Sequence, residues 1–119
     1  MTSQELENRL LDFAALTNAI LDSLPETRKT DYFRDQIFRA SSSTVLVYSE
    51  ARSAESRKDF IHKSNIVLKE LRECHAGLRL MARFISIPDI KEFYQVLKEA
   101  DELISIFVKT VSTARKNLN

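Results

Sequence analysis

Glycine and proline are almost absent from this sequence, which has one glycine and two prolines among its 119 residues. Sheets and sandwiches need many turns, and turns favour glycine, proline, asparagine and aspartate. A chain this poor in helix breakers has few turns and long elements, so we predict an all-α fold. Its length suits one domain, spanning residues 1–119, with a single hydrophobic core.

Cysteine, apolar runs and an excess of one charge are also scarce. The single Cys74 excludes an internal disulfide and fits a reducing compartment. With 18 basic and 17 acidic residues, the net charge of +1 provides no overall field toward nucleic acid or membrane. No apolar run approaches about 18 residues, and the N-terminus carries charges before any apolar stretch. We therefore expect a cytoplasmic protein with no membrane association.

Sequence motifs for catalysis or metal binding are missing. Di-metal bundles need Glu-x-x-His on two helices, whereas only Asp59 and His62 approach that spacing. Cys74 and His75 are adjacent, so a helix would point them about 100° apart, which makes a poor nucleophile–base pair. The only glycine, Gly77, lies within a helical pattern, where we expect it to let another helix approach closely. We predict a protein that is not an enzyme and that uses no metal or other cofactor.

Hydrophobic periodicity predicts four helices. In each segment apolar residues recur at alternating steps of three and four, as on a helix with one buried face. Thr30 or Asp31 is the expected N-cap of the second helix, Ser56 that of the third, and Pro88 is expected in the first turn of the fourth. Short connections favour an antiparallel up-down four-helix bundle. The predicted helices cover residues 3–24, 30–54, 57–86 and 88–116.

Residues 42–48, with the sequence SSTVLVY, have the β-branched and aromatic composition of a strand. A single strand would have no partner elsewhere in the chain, and residues 50–52 return to a helical composition. We therefore favour a helix through this segment.

Two segments, residues 45–48 and 103–108, are apolar around more of the helix than one buried face requires. Contiguous apolar surface usually marks an interface, so we predict a homo-oligomer. The alternative is a set of ordinary surface residues that need no partner. The candidate interface residues are Val45, Val47, Ile106, Phe107 and Val108.

A row of cations follows the third helix at steps of four and three, with no acid among its members. It lies two positions from the core stripe, about 200° around the helix, so it should face away from the bundle. Such a row suits the phosphates of RNA or DNA, although no aromatic residue interleaves it to stack on bases. The alternative is a solvated face balanced by acids on neighbouring helices. The candidate phosphate-contacting residues are Lys58, Lys69, Arg72, Arg79 and Arg83.

Polar residues also occur close to the predicted core. Gln36, Arg39 and Glu50 lie near the bundle-facing side of the second helix. Glu70 and Glu73 flank the core stripe of the third. If Arg39 meets either glutamate across the interior, the pair would be buried and would fix register more than it adds stability. The spacing equally allows all five side chains to face water.

Several short segments in the middle of the chain resemble one known family. They are QIFRA at 36–40, Ser43, EA at 50–51, SRKDFI at 56–61 and LKELRE at 68–73. This ordered set is similar to the bacterial four-helix-bundle proteins encoded in intervening sequences of 23S ribosomal RNA genes. The resemblance is strongest from about residue 36 to residue 80.

The resemblance implies an up-down bundle that assembles into a homopentamer, with Arg39, Glu50, Glu70 and Glu73 as a polar core set. A related branch, the accessory protein of diversity-generating retroelements, binds nucleic acid and a reverse transcriptase. The partners expected on this basis are further copies of the chain and RNA or DNA. The alternative is a scaffold that binds another protein and has no nucleic-acid role.

Overall fold

The computed structural model describes residues 1–118, which form four long α-helices and, over that range, no strand. The all-α prediction is therefore confirmed. Residues 42–48 lie inside the second helix, so the helical interpretation of that segment was right. The helices are α1 (Ser3–Asp22), α2 (Arg28–Arg52), α3 (Arg57–Phe84) and α4 (Ile90–Lys116).

The helices form a bundle about 50 Å long and 23 by 21 Å across. Helix α1 packs on α2, α2 on α3 and α3 on α4, while α1 and α4 close the ring. Among the described residues the backbones of the diagonal helix pairs do not come close to each other. Short connections make neighbouring helices antiparallel, so both termini and the α2–α3 connection share one end of the bundle.

The core follows the predicted apolar stripes except at four steps, where the adjacent residue is buried instead: Tyr48, Ile61, Val96 and Leu103 rather than Val47, Phe60, Leu97 and Ile104. In α2 the buried residue after Thr44 is Tyr48 rather than Val47, which is only half-buried. The ring of Tyr48 packs edge-on against Phe107 of α4, with the ring centroids 5.4 Å apart. Steps of three and four both continue the helical stripe from Thr44, and packing against α4 selects the larger ring.

The start of α2 differs from the prediction. Thr27 is the N-cap, and its hydroxyl accepts a hydrogen bond from the Thr30 backbone N–H at 3.1 Å. Thr30 itself is buried in the first turn, so the prediction of Thr30 or Asp31 as the cap was wrong. Two threonines three residues apart carry the same capping chemistry, and only the path of the chain decides between them.

The predicted start of α3 was right, whereas that of α4 was not. Ser56 caps α3 as predicted, accepting from the Asp59 backbone N–H at 3.0 Å. Asp89 caps α4 by accepting from the Glu92 backbone N–H at 3.0 Å. Pro88 therefore precedes the helix instead of lying in its first turn. The Asp89 carboxylate can accept a hydrogen bond from a backbone N–H of the first turn, which a proline side chain cannot do.

Gly77 lies where α2 and α3 approach each other, as expected. A Cβ atom at this position would be 3.2 Å from Cγ1 of Ile37. The absence of a side chain therefore permits the close helix packing at this level of the bundle.

None of the described helices is long and apolar enough to cross a membrane.

Candidate nucleic-acid interface along α3

The five predicted phosphate-contacting residues are all exposed on α3. Within residues 1–118, none of them has a carboxylate oxygen within 4.0 Å of its cationic nitrogens. Acids on the other helices contact other groups: Glu7 of α1 pairs with Arg52, and Glu99 of α4 pairs with Arg9. The row is thus an exposed line of cations whose charge no neighbouring acid offsets at short range. Its members are Lys58, Lys69, Arg72, Arg79 and Arg83.

A groove between α3 and α4 adds residues that the sequence did not reveal. Arg79 and Arg83 line it from α3, and Lys98 and Tyr94 line it from α4. No aromatic residue interleaves the row on α3 itself, and Tyr94 comes from the neighbouring helix. Periodicity along one helix does not show what a neighbouring helix contributes. Antiparallel pairing was the available signal, because it brings the start of α4 beside the end of α3.

The groove contains one carboxylate among its described lining residues, and that carboxylate is engaged. Nε2 of His75 lies 3.1 Å from Oδ1 of Asp101. The imidazole is largely enclosed, whereas the carboxylate is exposed. Asp101 therefore lies beside His75 on the α3 wall, and no carboxylate of the described chain lies within 4.0 Å of the groove's cations, Arg79, Arg83 and Lys98.

The predicted polar network is an ion-pair cluster at the α2–α3 edge. Nη1 of Arg39 donates to Oε2 of Glu70 at 3.1 Å, and Nη2 donates to Glu73. The hydrogen bond to Glu73 raises the pKa of Arg39 above its ordinary value, so the guanidinium stays charged. The sequence predicted this contact correctly as one of its alternatives.

Burial of the whole network was not a correct prediction for the single chain. Only Glu70 is buried, whereas Gln36, Arg39 and Glu50 are exposed. Glu50 lies away from the cluster, with its carboxylate 3.8 Å from Nζ of Lys63. The long Arg39 side chain reaches Glu70 from the surface, so its own backbone position need not face the core.

The candidate interface residues divide into one buried side chain and four more accessible ones. Phe107 is completely buried against Tyr48, so its assignment to a subunit interface was wrong. Val45, Val47 and Ile106 are half-buried against the core, and Val108 is 44% exposed. Most of the surplus apolar surface is thus covered within the chain.

Large apolar side chains are also exposed on α2 and α3, and two of them, Tyr32 and Leu80, meet at the edge between these helices. A shallow groove of about 260 Å³ lies there between Tyr32 and Leu80, above Gly77. Periodicity along one helix does not indicate this groove, because its lining residues lie on two helices. The large apolar side chains exposed on these helices are Tyr32, Phe38, Leu46, Leu80 and Phe84.

Cys74 is unsuited to nucleophilic chemistry in this setting. It is buried in the core, and burial raises the pKa of its thiol to about 12. At neutral pH the sulfur is therefore a protonated core atom, as its place on the apolar stripe predicted. Within residues 1–118, no group of three or more histidine, cysteine, aspartate or glutamate side chains is arranged to hold a metal ion.

The chain matches the family described as 23S rRNA-intervening sequence protein over residues 4–109, and it belongs to that family. It is also similar to the crystal structure of a protein of unknown function from the S23 ribosomal protein family of Bacteroides thetaiotaomicron. That match has a TM-score of 0.83 and 27% identity and covers 94% of this chain and 99% of the other. No curated protein matches the chain significantly. The family resemblance inferred from residues 36–80 is confirmed.

Proposed function

We propose that this protein is a non-catalytic, homo-oligomeric helical bundle that binds structured RNA or DNA weakly through phosphate contacts along α3. The observation that carries the proposal is the row of five exposed cations without a carboxylate partner in the described chain. From Lys58 to Arg83 the row extends about 37 Å along the helix. This is close to one turn of duplex, about 34–36 Å, so a single α3 is long enough to cross a groove and reach phosphates on both sides of it.

The expected binding is electrostatic and indifferent to base sequence. Five phosphate contacts give a slope of log affinity against log salt of about −4.5, or about a 500-fold loss between 50 and 200 mM salt. Because the net charge of the chain is only +1, its long-range attraction is small and the contacts must be local.

Titration of a labelled RNA hairpin, followed by fluorescence anisotropy at several salt concentrations, tests the proposal. We expect Lys69→Gln to weaken binding and to reduce the magnitude of the salt slope by about one. Lys116→Gln is the matched control, since it removes the same charge from an exposed position in the last turn of α4. An affinity that ignores salt, or an equal effect of both substitutions, would contradict a binding surface on α3.

Self-association is the second part of the proposal, supported by the exposed apolar side chains on α2 and α3. The family resemblance implies a pentamer, which light scattering would report as five times the 13.7 kDa of one chain. We expect Leu46→Glu to lower that mass. Leu16→Glu, on an exposed α1 position, is its control. A monomeric mass for the unmodified chain would contradict assembly.

The same apolar edge supports a second candidate function, a scaffold that docks another protein. A monomeric chain that binds no nucleic acid would favour this candidate over the first. Either function is proposed for the cytoplasm, where a single reduced, buried cysteine is typical.

A further inference from the structure

We propose that the groove between α3 and α4 binds single-stranded nucleic acid, with an unpaired base stacked on Tyr94 and neighbouring phosphates held by nearby cations. The cations are Arg79, Arg83 and Lys98. This inference rests on the proposed nucleic-acid function and deepens it, because it specifies the strandedness of the ligand and the groove that receives it.

The groove has room for a nucleotide. Its volume is about 590 Å³, within the range of roughly 300–1,000 Å³ that is usual for small-molecule sites. Its walls are the last third of α3 and the first third of α4, and its floor includes the half-buried side chains of Ala82 and Leu97. An apolar floor between cationic walls suits a ligand that has a flat base and a charged backbone.

The charge of the groove favours an anion. Arg79, Arg83 and Lys98 each lack a carboxylate within 4.0 Å among the described residues. Asp101 contributes the single negative charge of the described lining, and its Oδ1 lies 3.1 Å from Nε2 of His75. Phosphates can therefore approach the cations without displacing an existing ion pair.

Tyr94 supplies a stacking surface at the same place. Its side chain is 61% exposed, and its ring is packed edge-on against the buried Phe93, with the centroids 5.9 Å apart. The ring is thus supported from below while much of its surface faces solvent. Every base has a π-face, so stacking on an aromatic ring is tolerant of sequence.

Tyr32 provides an internal comparison that isolates the role of charge. It is 60% exposed and packs edge-on against Phe33, nearly as Tyr94 packs against Phe93. Its groove, however, has Glu73 and no cation among its described lining residues. Exposure of an aromatic ring is common to both grooves, and only the one beside α4 combines it with cations.

The geometry favours a single strand over a duplex. Bases inside a duplex are stacked on each other and offer no free face, whereas unpaired bases can turn outward onto an aromatic side chain. The row on α3 needs only a phosphate backbone, which either form provides. Tyr94 therefore distinguishes the two ligands.

A single-tryptophan variant gives the most direct test. The chain has no tryptophan, so Tyr94→Trp places a unique fluorophore in the groove. We expect a ten-nucleotide oligouridylate to quench it, and a ten-base-pair RNA duplex or a polyglutamate of similar charge to leave it unchanged. Tyr32→Trp, the matched control in the other groove, should not respond to any of them.

Affinity measurements complete the test. Tyr94→Ala should lower affinity for the oligouridylate about tenfold, within the range for loss of one base–aromatic stack, and change duplex affinity less than twofold. Tyr94→Phe should retain wild-type affinity, because it keeps the ring, and so should Tyr32→Ala. Circular dichroism of each variant checks that the helices remain folded.

The outcomes separate this inference from the function on which it rests. If the unmodified chain binds neither oligouridylate nor duplex, both proposals are wrong. If it binds both with strong salt dependence and Tyr94→Ala changes neither affinity, the groove inference is overturned and the α3 row remains. Equal quenching of Tyr94→Trp by duplex or polyglutamate would overturn it in the same way.

Discussion

The cations on the two sides of helix α3 have different partners. Toward α2, Arg39 reaches across to Glu70 and Glu73, so that its charge is compensated within the bundle. Toward α4, Arg79 and Arg83 line a groove and have no acid at salt-bridge distance among the described residues. The difference indicates that charge on one side joins two helices, whereas charge on the other is available to a ligand.

The contribution of these charges to folding stability also differs between the two sides of α3. Glu70 is 7% exposed, so loss of its partner leaves a buried charge that water cannot fully solvate. The exposed cations beside α4 are hydrated, and solvated charges of this kind contribute little to folding. Stability measurements should therefore respond to one side of α3, and binding measurements to the other.

The core beneath both sides should be the most sensitive part of the molecule. Phe107→Asp removes a fully buried ring and buries an unpaired carboxylate, which we expect to cost about 4 kcal/mol or more and to unfold much of the protein. Val108→Asp, at a 44% exposed position, should change stability by less than about 0.5 kcal/mol. Thermal unfolding followed by circular dichroism compares them. Equal stability of the two variants would contradict the inward orientation of Phe107.

Charge reversal on each side of α3 tests the comparison directly. Glu70→Lys puts an enclosed cation beside Arg39, and we expect a loss of about 3 kcal/mol in the free energy of unfolding. Arg79→Glu should change that free energy by less than about 0.5 kcal/mol while it weakens RNA binding. Urea unfolding and anisotropy on both variants provide the two measurements. The comparison breaks down if the stability losses are equal.

Alkaline pH provides a third test of this comparison, because it deprotonates a thiol that lies near the α2 side of α3. Burial, reinforced by Glu70 and Glu73, raises the pKa of Cys74 from 9.0 to about 12. Above pH 9 the unfolded chain releases this proton and the folded chain keeps it, so the stability falls as pH rises. The loss from this group is about 1.4 kcal/mol per pH unit up to its folded pKa.

Urea unfolding of the unmodified chain and of Cys74→Val at pH 7.5, 9.5 and 10.5 measures that contribution. The free energies of unfolding of the two proteins should depend on pH in the same way below pH 9. Above pH 9 they should diverge, with the variant losing less stability. Parallel curves over the whole range would show that the thiol is accessible to solvent when folded.

The smallest expected effect is at the close contact between α2 and α3. Gly77→Ala gains about 1 kcal/mol of helix propensity and brings a Cβ to 3.2 Å from the Ile37 side chain. These effects oppose each other, so we expect a net change below about 1 kcal/mol. Gly77→Leu, which cannot be accommodated by a small shift, should be clearly destabilising. Equal stability of the two variants would contradict the close packing.

Sequence periodicity predicted the fold well because burial repeats along each helix. The stripe of α1, from Leu6 through Phe13 to Ile20, is buried as its spacing indicates. Periodicity failed where two neighbouring positions suit the same face, as at Val47 and Tyr48. It also failed at Ile104, where the neighbouring Leu103 is buried instead, because an apolar run does not show which of two adjacent residues turns inward.

The candidate site was predictable only in part. The cationic row follows from positions on α3 alone, and its exposure agrees with its angle from the core. Tyr94 and Lys98 required knowledge of how α4 lies against α3, which is a property of the pair. The Arg39–Glu70 contact could be predicted only as one of two possibilities. Spacing shows that both residues lie near the core, but whether the two side chains meet depends on the reach of the long arginine side chain.

The arrangement of the two ends of the bundle has a practical consequence for attaching the protein to a surface. Met1 lies beside Arg57 and Thr113, at the end where α3 begins and α4 finishes. The groove beside Tyr94 occupies the opposite end of a body 50 Å long. A sensor chip or bead linked through Met1 would hold the chain with this groove pointing outward, which makes the molecule suited to oriented immobilisation.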